Sequence, residues 1–173
     1  MKILTLLFLI VGSFVTPHVT GEPVILVNKT THEVVLMKRG KMVFHAQAAV
    51  GKTRELTPEG QFRIKVKAKD PYYRKKNIPG GDPENPLGSR WIGFDARGTD
   101  GRIYGIHGTN QPNSIGKSVS AGCIRLKNHD VEKLFDLVPS GSDVLIVSSN
   151  QTIDELYEQW EKEKLEDVFS PAT

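Results

Sequence analysis

The sequence predicts a mainly β domain with one short internal helix and a C-terminal helix. Sixteen glycines and ten prolines among 173 residues indicate frequent turns, which favour a β-rich fold over a helical bundle. Several short apolar runs also carry the two-residue alternation of strands, whereas two segments carry helical spacing. The length suits one domain.

The first 21 residues predict a secretory signal peptide. Lys2 precedes an apolar run of 13 residues at positions 3–15, which is short for a membrane span, and Pro17 follows it. Gly21 supplies a small residue at a plausible cleavage point. A buried strand or an uncleaved anchor is the alternative. We therefore expect a mature chain that begins near Glu22, is secreted to the cell wall and keeps no stable membrane span.

The segments after residue 22 predict strands joined by turns. Apolar runs at 23–51 surround a hairpin turn at 38–41, where Gly40 suits a positive φ. In the segment 57–69, Phe62, Ile64 and Val66 alternate with Arg63, Lys65 and Lys67, which predicts an apolar face and lysines in water. Further strands are predicted at 90–96, 102–108 and 143–148. The intervening segment 70–89, rich in proline and glycine, predicts a long loop.

Two segments carry helical spacing. Asn128 or His129 can begin the first helix, and residues 139–141 end it. Its expected inner face consists of Val131, Leu134, Phe135 and Val138. The tail at 150–169 predicts a second helix, and the spacing of its apolar residues favours packing on the domain over binding a partner. Those residues are Ile153, Leu156, Tyr157 and Trp160.

Charge and cysteine content narrow the function classes. The net charge is +3, which is too small to argue for nucleic-acid binding. The one cysteine, Cys123, excludes an internal disulfide framework and a cysteine-rich zinc site. Three roles remain for this cysteine: a buried inert thiol, an intermolecular disulfide bridge or a reactive nucleophile.

A nucleophilic thiol needs a base and N–H donors for the developing oxyanion, and the sequence offers both. His107 ends an alternating run and is the best base candidate, although a structural histidine is the alternative. Gly122 permits a tight turn that aims the Cys123 N–H at a bound carbonyl, and the Ser120 hydroxyl is a second candidate donor. Arg125 shares a face with Cys123 in an extended segment, so it either favours the thiolate or forms a surface salt bridge.

The segment "HGTNQPNSIGKSVSAGCIRL" at 107–126 resembles the active-site signature of the L,D-transpeptidase catalytic domain, the YkuD family. That signature has a histidine followed by glycine or serine and, after a spacer, Ser/Thr-x-Gly-Cys-x-Arg. The segments "TPEGQFRI", "NPLGSRWIGF" and "VPSGSDVLI" resemble other parts of the same family. The likeness extends over 23–149. Ala121 stands where many members have a second histidine, which leaves His107 as the base.

The resemblance implies a β-sandwich or barrel-like fold that forms 3→3 cross-links between peptidoglycan stem peptides. It implies Cys123 as nucleophile, His107 as general base and acid, and the backbone carbonyl of Gly108 as the group that orients His107. Ser120, Gly122, Arg125 and Tyr104 are then expected at the substrate and oxyanion side. No metal or cofactor is implied, and carbapenems are expected to acylate the thiol. The implied organisation is a signal peptide at 1–21, a catalytic domain at 22–149 and a helical extension at 150–173.

Three alternative functions are also considered for this sequence. Water in place of the acceptor amine would make the enzyme an L,D-carboxypeptidase. A papain-like Cys–His hydrolase places cysteine before histidine in the chain, whereas here His107 precedes Cys123. A non-catalytic wall-binding domain would keep the fold without the reaction.

The basic segment "YYRKK" in the loop 70–89 is predicted to form a wall of the substrate cleft, with a solvated surface loop as the alternative.

Overall fold

The computed structural model describes residues 21–169, so nearly all of the predicted signal peptide lies outside the described residues. Within that range the chain forms ten strands and two α-helices. The strands are β1 (Val24–Asn28), β2 (Glu33–Lys38), β3 (Lys41–Gln47), β4 (Val50–Gly51), β5 (Gly60–Lys69), β6 (Arg90–Phe94), β7 (Tyr104–His107), β8 (Ser118–Ser120), β9 (Ile124–Arg125) and β10 (Asp143–Val147). The helices are α1 (Asn128–Leu137) and α2 (Ile153–Phe169).

Eight strands form one sheet in the order β3-β2-β1-β10-β5-β6-β7-β9, and β4 pairs with β8 in a separate parallel ribbon. Neighbours are antiparallel except for the pairs β1–β10 and β7–β9. The chain just beyond β3 returns to the opposite edge, because Ala49 and Arg125 exchange two backbone hydrogen bonds of 2.9 and 2.8 Å. The sheet is therefore curled into a partly closed barrel, as the mainly β prediction required.

The strand β1 is buried on both faces, which explains its unbroken apolar run. Ile25 and Val27 belong to the main core inside the curl, whereas Val24 and Leu26 pack outside against α2. The side chains of Tyr157 and Trp160 complete that outer cluster. The prediction that the C-terminal helix packs on the domain is confirmed.

The helix α1 packs inside the curl. Val131, Leu134 and Val138 are buried there and Phe135 packs at the edge, as predicted. The β2–β3 hairpin is also confirmed, with Arg39 and Gly40 in the two-residue turn, both at positive φ (52° and 70°).

The prediction that every lysine of β5 lies in water is wrong for Lys67. A bulge between Ile64 and Val66 inserts one extra residue, so the alternation changes parity along the strand. Lys67 therefore pairs with the buried Ile92 and faces inward. Its Nζ donates to the backbone carbonyls of Phe135 (2.6 Å) and Val138 (2.7 Å) at the end of α1. The ammonium thus caps the helix.

None of the helices in the range 21–169 combines the length and the apolar composition that crossing a membrane requires.

Candidate active site

The parallel pair β7–β9 brings together the two segments that carry the signature histidine and cysteine. Ile106 pairs with Ile124 and both are buried in the main core, so they point into the curl. His107 pairs with Arg125 on the opposite face. Cys123 directly precedes β9, and it contacts the carbonyl of Ile103 and the backbone of Gly105, which lie just before and within β7. The segments that carry the two residues, 16 positions apart in the sequence, therefore lie side by side at this edge of the sheet.

The His107 ring is buried and held in one tautomer. Its Nδ1 lies 2.6 Å from the carbonyl of Gly108, so Nδ1 carries the proton of the neutral ring and Nε2 is the unprotonated nitrogen. The Trp91 indole stacks on the ring with centroids 5.6 Å apart. Burial lowers the pKa of His107 to about 4, and the positive charge of Arg125 adds to this, against hydrogen bonding to the Gly108 and Leu87 backbone. The imidazole is neutral at pH 7.

The Cys123 thiol is half-buried and also neutral. Burial raises its pKa above the ordinary value of 9.0, while the Gly105 backbone and the charges of Lys75 and Arg125 act in the opposite direction. Its Sγ lies 3.5 Å from the carbonyl oxygen of Ile103, to which the thiol donates. Within residues 21–169, no direct hydrogen bond joins the thiol to the imidazole. The Cys123 thiol and the His107 imidazole are therefore both uncharged in the resting protein.

Arg125 is half-buried and forms no salt bridge with a carboxylate in the described part of the chain. Its Nη1 donates to Oε1 of Gln111 at 3.3 Å. Its charge lowers the pKa of both Cys123 and His107. Of the two readings left open by the sequence, the charge beside the thiol fits this arrangement, and the surface salt bridge does not.

The turn before the thiol needs glycine at position 122. Gly122 has a φ of 133°, and a Cβ on it would lie 2.6 Å from the Leu56 carbonyl oxygen. Its N–H donates to Oγ of Ser120 at 3.1 Å. The N–H of Cys123 has no acceptor among the described residues. This amide is therefore available to a bound carbonyl oxygen.

The Ser120 hydroxyl is not the free donor to the oxyanion that the sequence suggested. Its hydroxyl donates to the carbonyl of Cys123 at 2.6 Å while it accepts the Gly122 N–H. A hydroxyl has one proton, so in this arrangement Ser120 closes the turn around the thiol and has no proton left for a substrate oxygen.

Tyr104 and Lys75 are two further groups near the segment that carries the thiol. Tyr104 packs at the edge of the core, with its ring 3.7 Å from the position of a Cβ on Gly122. The Arg97 guanidinium lies 5.6 Å from the centre of that ring. Lys75 belongs to the "YYRKK" segment, and its charge acts on Cys123. At least one cation of the long loop thus lies near the thiol.

Asn128 contributes to the candidate site, although the sequence indicated it only as a possible first residue of a helix. Its Oδ1 accepts the backbone N–H of Thr109 at 3.1 Å and that of Ser89 at 3.3 Å. Thr109 directly follows Gly108, whose carbonyl accepts from the His107 ring, and Ser89 lies two residues after Leu87, whose backbone also interacts with that ring. Asn128 therefore joins the two loops that hold the imidazole. An asparagine at the start of a helix is a common cap, so the sequence carried no signal for this second use.

Across residues 21–169, no group of three or more His, Cys, Asp or Glu side chains is arranged to hold a metal ion.

Comparison with known proteins gives consistent matches. Residues 22–146 match the family model described as the L,D-transpeptidase catalytic domain, YkuD. The chain is 56% identical over 136 residues to YqjB of Bacillus subtilis (strain 168), which carries an L,D-transpeptidase name; the match covers 79% of this chain and 77% of that protein. It is 40% identical over 111 residues to the similarly named YkuD of Bacillus licheniformis, covering 64% and 57%.

A solved structure titled as the Ldtfm–avibactam carbamoyl enzyme shares this fold. Its TM-score is 0.57 at 27% identity, and the match covers 75% of this chain and 50% of that one. The chain thus spans about half the length of that protein. The extent of the family match and the 56% identity to a relative of similar length agree with the fold. This chain belongs to the L,D-transpeptidase family, with the YkuD catalytic domain over residues 22–146.

Proposed function

We propose that this protein is a cysteine-dependent L,D-transpeptidase that cross-links peptidoglycan stem peptides. The observation that carries the proposal is the parallel pairing of β7 and β9, which brings the segment ending at His107 alongside the segment that begins just after Cys123. The His107 ring has its proton on Nδ1, so its Nε2 is unprotonated. A thiol beside a neutral imidazole is suited to acyl transfer, since the imidazole accepts the proton as sulfur attacks.

The first half-reaction forms a thioester. Cys123 Sγ attacks the carbonyl carbon of the L,D peptide bond between the diamino acid and the terminal D-alanine of a stem tetrapeptide. His107 Nε2 takes the thiol proton and passes it to the leaving nitrogen when the C–N bond breaks. The carbonyl oxygen becomes negative in the transition state, and the unpartnered N–H of Cys123 is the proposed donor to it. D-Alanine leaves with the transferred proton.

The second half-reaction releases the acyl group. The side-chain amine of a diamino acid on a second stem attacks the thioester carbonyl, and His107 accepts a proton from that amine. The C–S bond then breaks, and the proton returns to the sulfur. The product is a 3→3 cross-link and the enzyme is regenerated. Water in place of the amine gives a shortened stem, so L,D-carboxypeptidase activity is the second candidate function of the same site.

The resting pKa values favour proton transfer concerted with attack over a preformed ion pair. Burial holds the pKa of His107 low and that of Cys123 high, which disfavours the imidazolium–thiolate state. Hydrogen bonds between catalytic groups often tighten only once substrate binds, so the absence of a direct bond in the free protein is compatible with this role. The Gly108 carbonyl keeps the ring in the required tautomer throughout.

The proposed substrate places the protein outside the cytoplasm. We accordingly propose secretion through a signal peptide at residues 1–21, a catalytic domain at 22–149 and a helical extension at 150–173. The Lys75 charge near the thiol supports a role for the 70–89 loop in binding stem carboxylates. Solved structures of this fold are titled as an imipenem complex and as a faropenem-derived adduct, which supports β-lactams, carbapenems among them, as covalent inhibitors here.

The test is incubation of the purified protein with a disaccharide-tetrapeptide, followed by mass spectrometry of the products. A cross-linked dimer together with free D-alanine supports transpeptidation. Loss of D-alanine without a dimer assigns the carboxypeptidase reaction instead. An unchanged substrate, from protein shown to be folded, would leave the non-catalytic wall-binding reading.

A further inference from the structure

A buried hydroxyl before β5 contacts the peptide bond that precedes Cys123. Thr57 is fully buried, and its Oγ1 donates to the carbonyl of Gly122 at 2.9 Å. The same Oγ1 accepts the backbone N–H of Gly51 at 2.8 Å. A hydroxyl has a single proton, and the Gly51 amide occupies its acceptor side, so the proton is directed to Gly122.

This contact fixes the direction of the Cys123 N–H. The Gly122 carbonyl and the Cys123 N–H belong to one planar trans peptide unit, in which C=O and N–H point in opposite directions. Since Thr57 draws the carbonyl inward, the N–H is turned away from the buried hydroxyl. Among the described residues this N–H has no acceptor, whereas the preceding amide of Gly122 is used by Ser120.

The surroundings leave that peptide unit little freedom to rotate. The Leu56 carbonyl lies so close to Gly122 that a Cβ there would approach it to 2.6 Å. A Cβ on Gly51 would in turn lie 3.0 Å from Oγ1 of Thr57. The 56–57 segment is thus packed against both glycines, and Thr57 makes the directional contact within that packing.

We propose that Thr57 is a positioning residue for the oxyanion site: its hydroxyl holds the Gly122–Cys123 peptide so that the Cys123 N–H faces the substrate carbonyl oxygen. This inference rests on the proposed acylation of Cys123. It predicts that the hydroxyl of Thr57 affects steps that develop an oxyanion and has little effect on other reactions of the same thiol.

The experiment compares two reactions of Cys123 in wild type and in Thr57→Val, Thr57→Ser and Thr53→Val. Acylation by imipenem, followed by intact mass, passes through a tetrahedral oxyanion. Alkylation by iodoacetamide is a displacement at carbon that forms none. Thr57→Val preserves the shape of the side chain without its hydroxyl, and Thr57→Ser retains the hydroxyl. Thr53 is exposed on the same loop and provides the matched control.

In Thr57→Val we expect the rate of acylation to fall by about 10- to 100-fold. This loss is no larger than the loss that follows removal of one oxyanion donor, because the Cys123 N–H itself is still present. Alkylation should stay within about twofold of wild type, and Thr57→Ser should recover most of the acylation rate. Wild-type acylation by folded Thr57→Val, or an equal fall in both reactions, would overturn the inference. A wild-type protein that is neither acylated nor active on stem peptides would refute the proposed function, and this inference with it.

A structure of the wild-type imipenem adduct tests the geometry without any variant. The acyl oxygen should lie within about 3.2 Å of Cys123 N while the Gly122 carbonyl stays bonded to Thr57. An acyl oxygen bound to other donors, or a Gly122 carbonyl released from Thr57, would contradict the assignment even if Thr57→Val did not fold.

Discussion

His107 stands directly opposite Arg125 across the parallel strands β7 and β9. The guanidinium lowers the pKa of both groups: it favours the thiolate of Cys123 and disfavours the imidazolium of His107. One fixed charge therefore assists deprotonation of the proposed nucleophile and keeps the proposed base unprotonated.

Replacing the sulfur should abolish covalent chemistry. In Cys123→Ser, we expect neither an imipenem adduct nor release of D-alanine, because an alcohol is a far weaker nucleophile beside the same base. The measurements are the intact mass after incubation and chromatography of D-alanine. The free energy of unfolding should change by no more than about 1 kcal/mol, since the side chain is half-buried and nearly isosteric. A serine variant with wild-type turnover would exclude the thioester.

The pH dependence of the wild-type enzyme should follow the low pKa of His107. A base must be unprotonated to accept the thiol proton, so kcat/KM should be maintained from pH 7 down to about 5 and fall below about 4. The measurement is kcat/KM for D-alanine release in buffers of constant ionic strength. An acid limb near pH 6.5 would show that the ring titrates as if it were exposed.

The same histidine should make folding stability depend on pH. Its pKa is about 4 in the folded chain against an ordinary 6.5, so on acidification the unfolded chain takes up the proton first. Stability is therefore full above about pH 6.5 and declines until about pH 4, by up to roughly 3 kcal/mol. Urea unfolding at several pH values should show a smaller decline in His107→Gln.

The control for that measurement is His45→Gln, which removes an exposed histidine of β3 that contacts Glu33. This variant should retain the acid-induced decline of wild type. An equal decline in wild type and in His107→Gln would assign the pH dependence to other groups.

Removing the guanidinium should make the thiol harder to ionise. In Arg125→Gln we expect the pH midpoint of iodoacetamide alkylation to move upward, because the thiolate loses one favourable charge. The rate is followed as a function of pH by intact mass. Arg102→Gln is the matched control, since Arg102 is exposed and paired with Asp100. A midpoint that stays unchanged in Arg125→Gln would remove Arg125 from the control of thiol ionisation.

Lys67, which faces inward, should contribute to the stability of the fold, whereas Lys69 on the same strand should not. Lys67→Met leaves the carbonyls of Phe135 and Val138 without their donor, which should cost about 1–3 kcal/mol of unfolding free energy. Chemical denaturation measures this cost. Lys69→Met is the control, because Lys69 is exposed near the end of β5 and should tolerate the change. Equal effects of the two substitutions would contradict the proposed cap.

The sequence predicted those features that are encoded by neighbouring residues. The hairpin at Gly40, the inner face of α1 and the packing face of α2 all depend on local spacing, and each is found. The pairings of the short strands β4, β8 and β9 were not predicted, since two or three residues carry no readable period and the pairings join distant segments.

The candidate site, like the fold, was predicted where the signal is local in the sequence and was missed where it depends on long-range contacts. The signature singled out His107 and Cys123, and the strand register pairs the segments next to which or in which they lie. The contacts of Asn128 and Thr57 were not foreseen, because each joins its target through long-range backbone hydrogen bonds. Lys67 was misassigned because one inserted residue reversed the alternation that the pattern assumed.

The raised pKa of Cys123 has a consequence for the durability of the protein. Peroxides and disulfide exchange both act on thiolates, so a sulfur held as the neutral thiol is oxidised slowly. The chain has no second cysteine that could rescue a sulfenic acid as an internal disulfide. Burial of the sulfur therefore protects the one thiol of the chain, the proposed nucleophile, from oxidation.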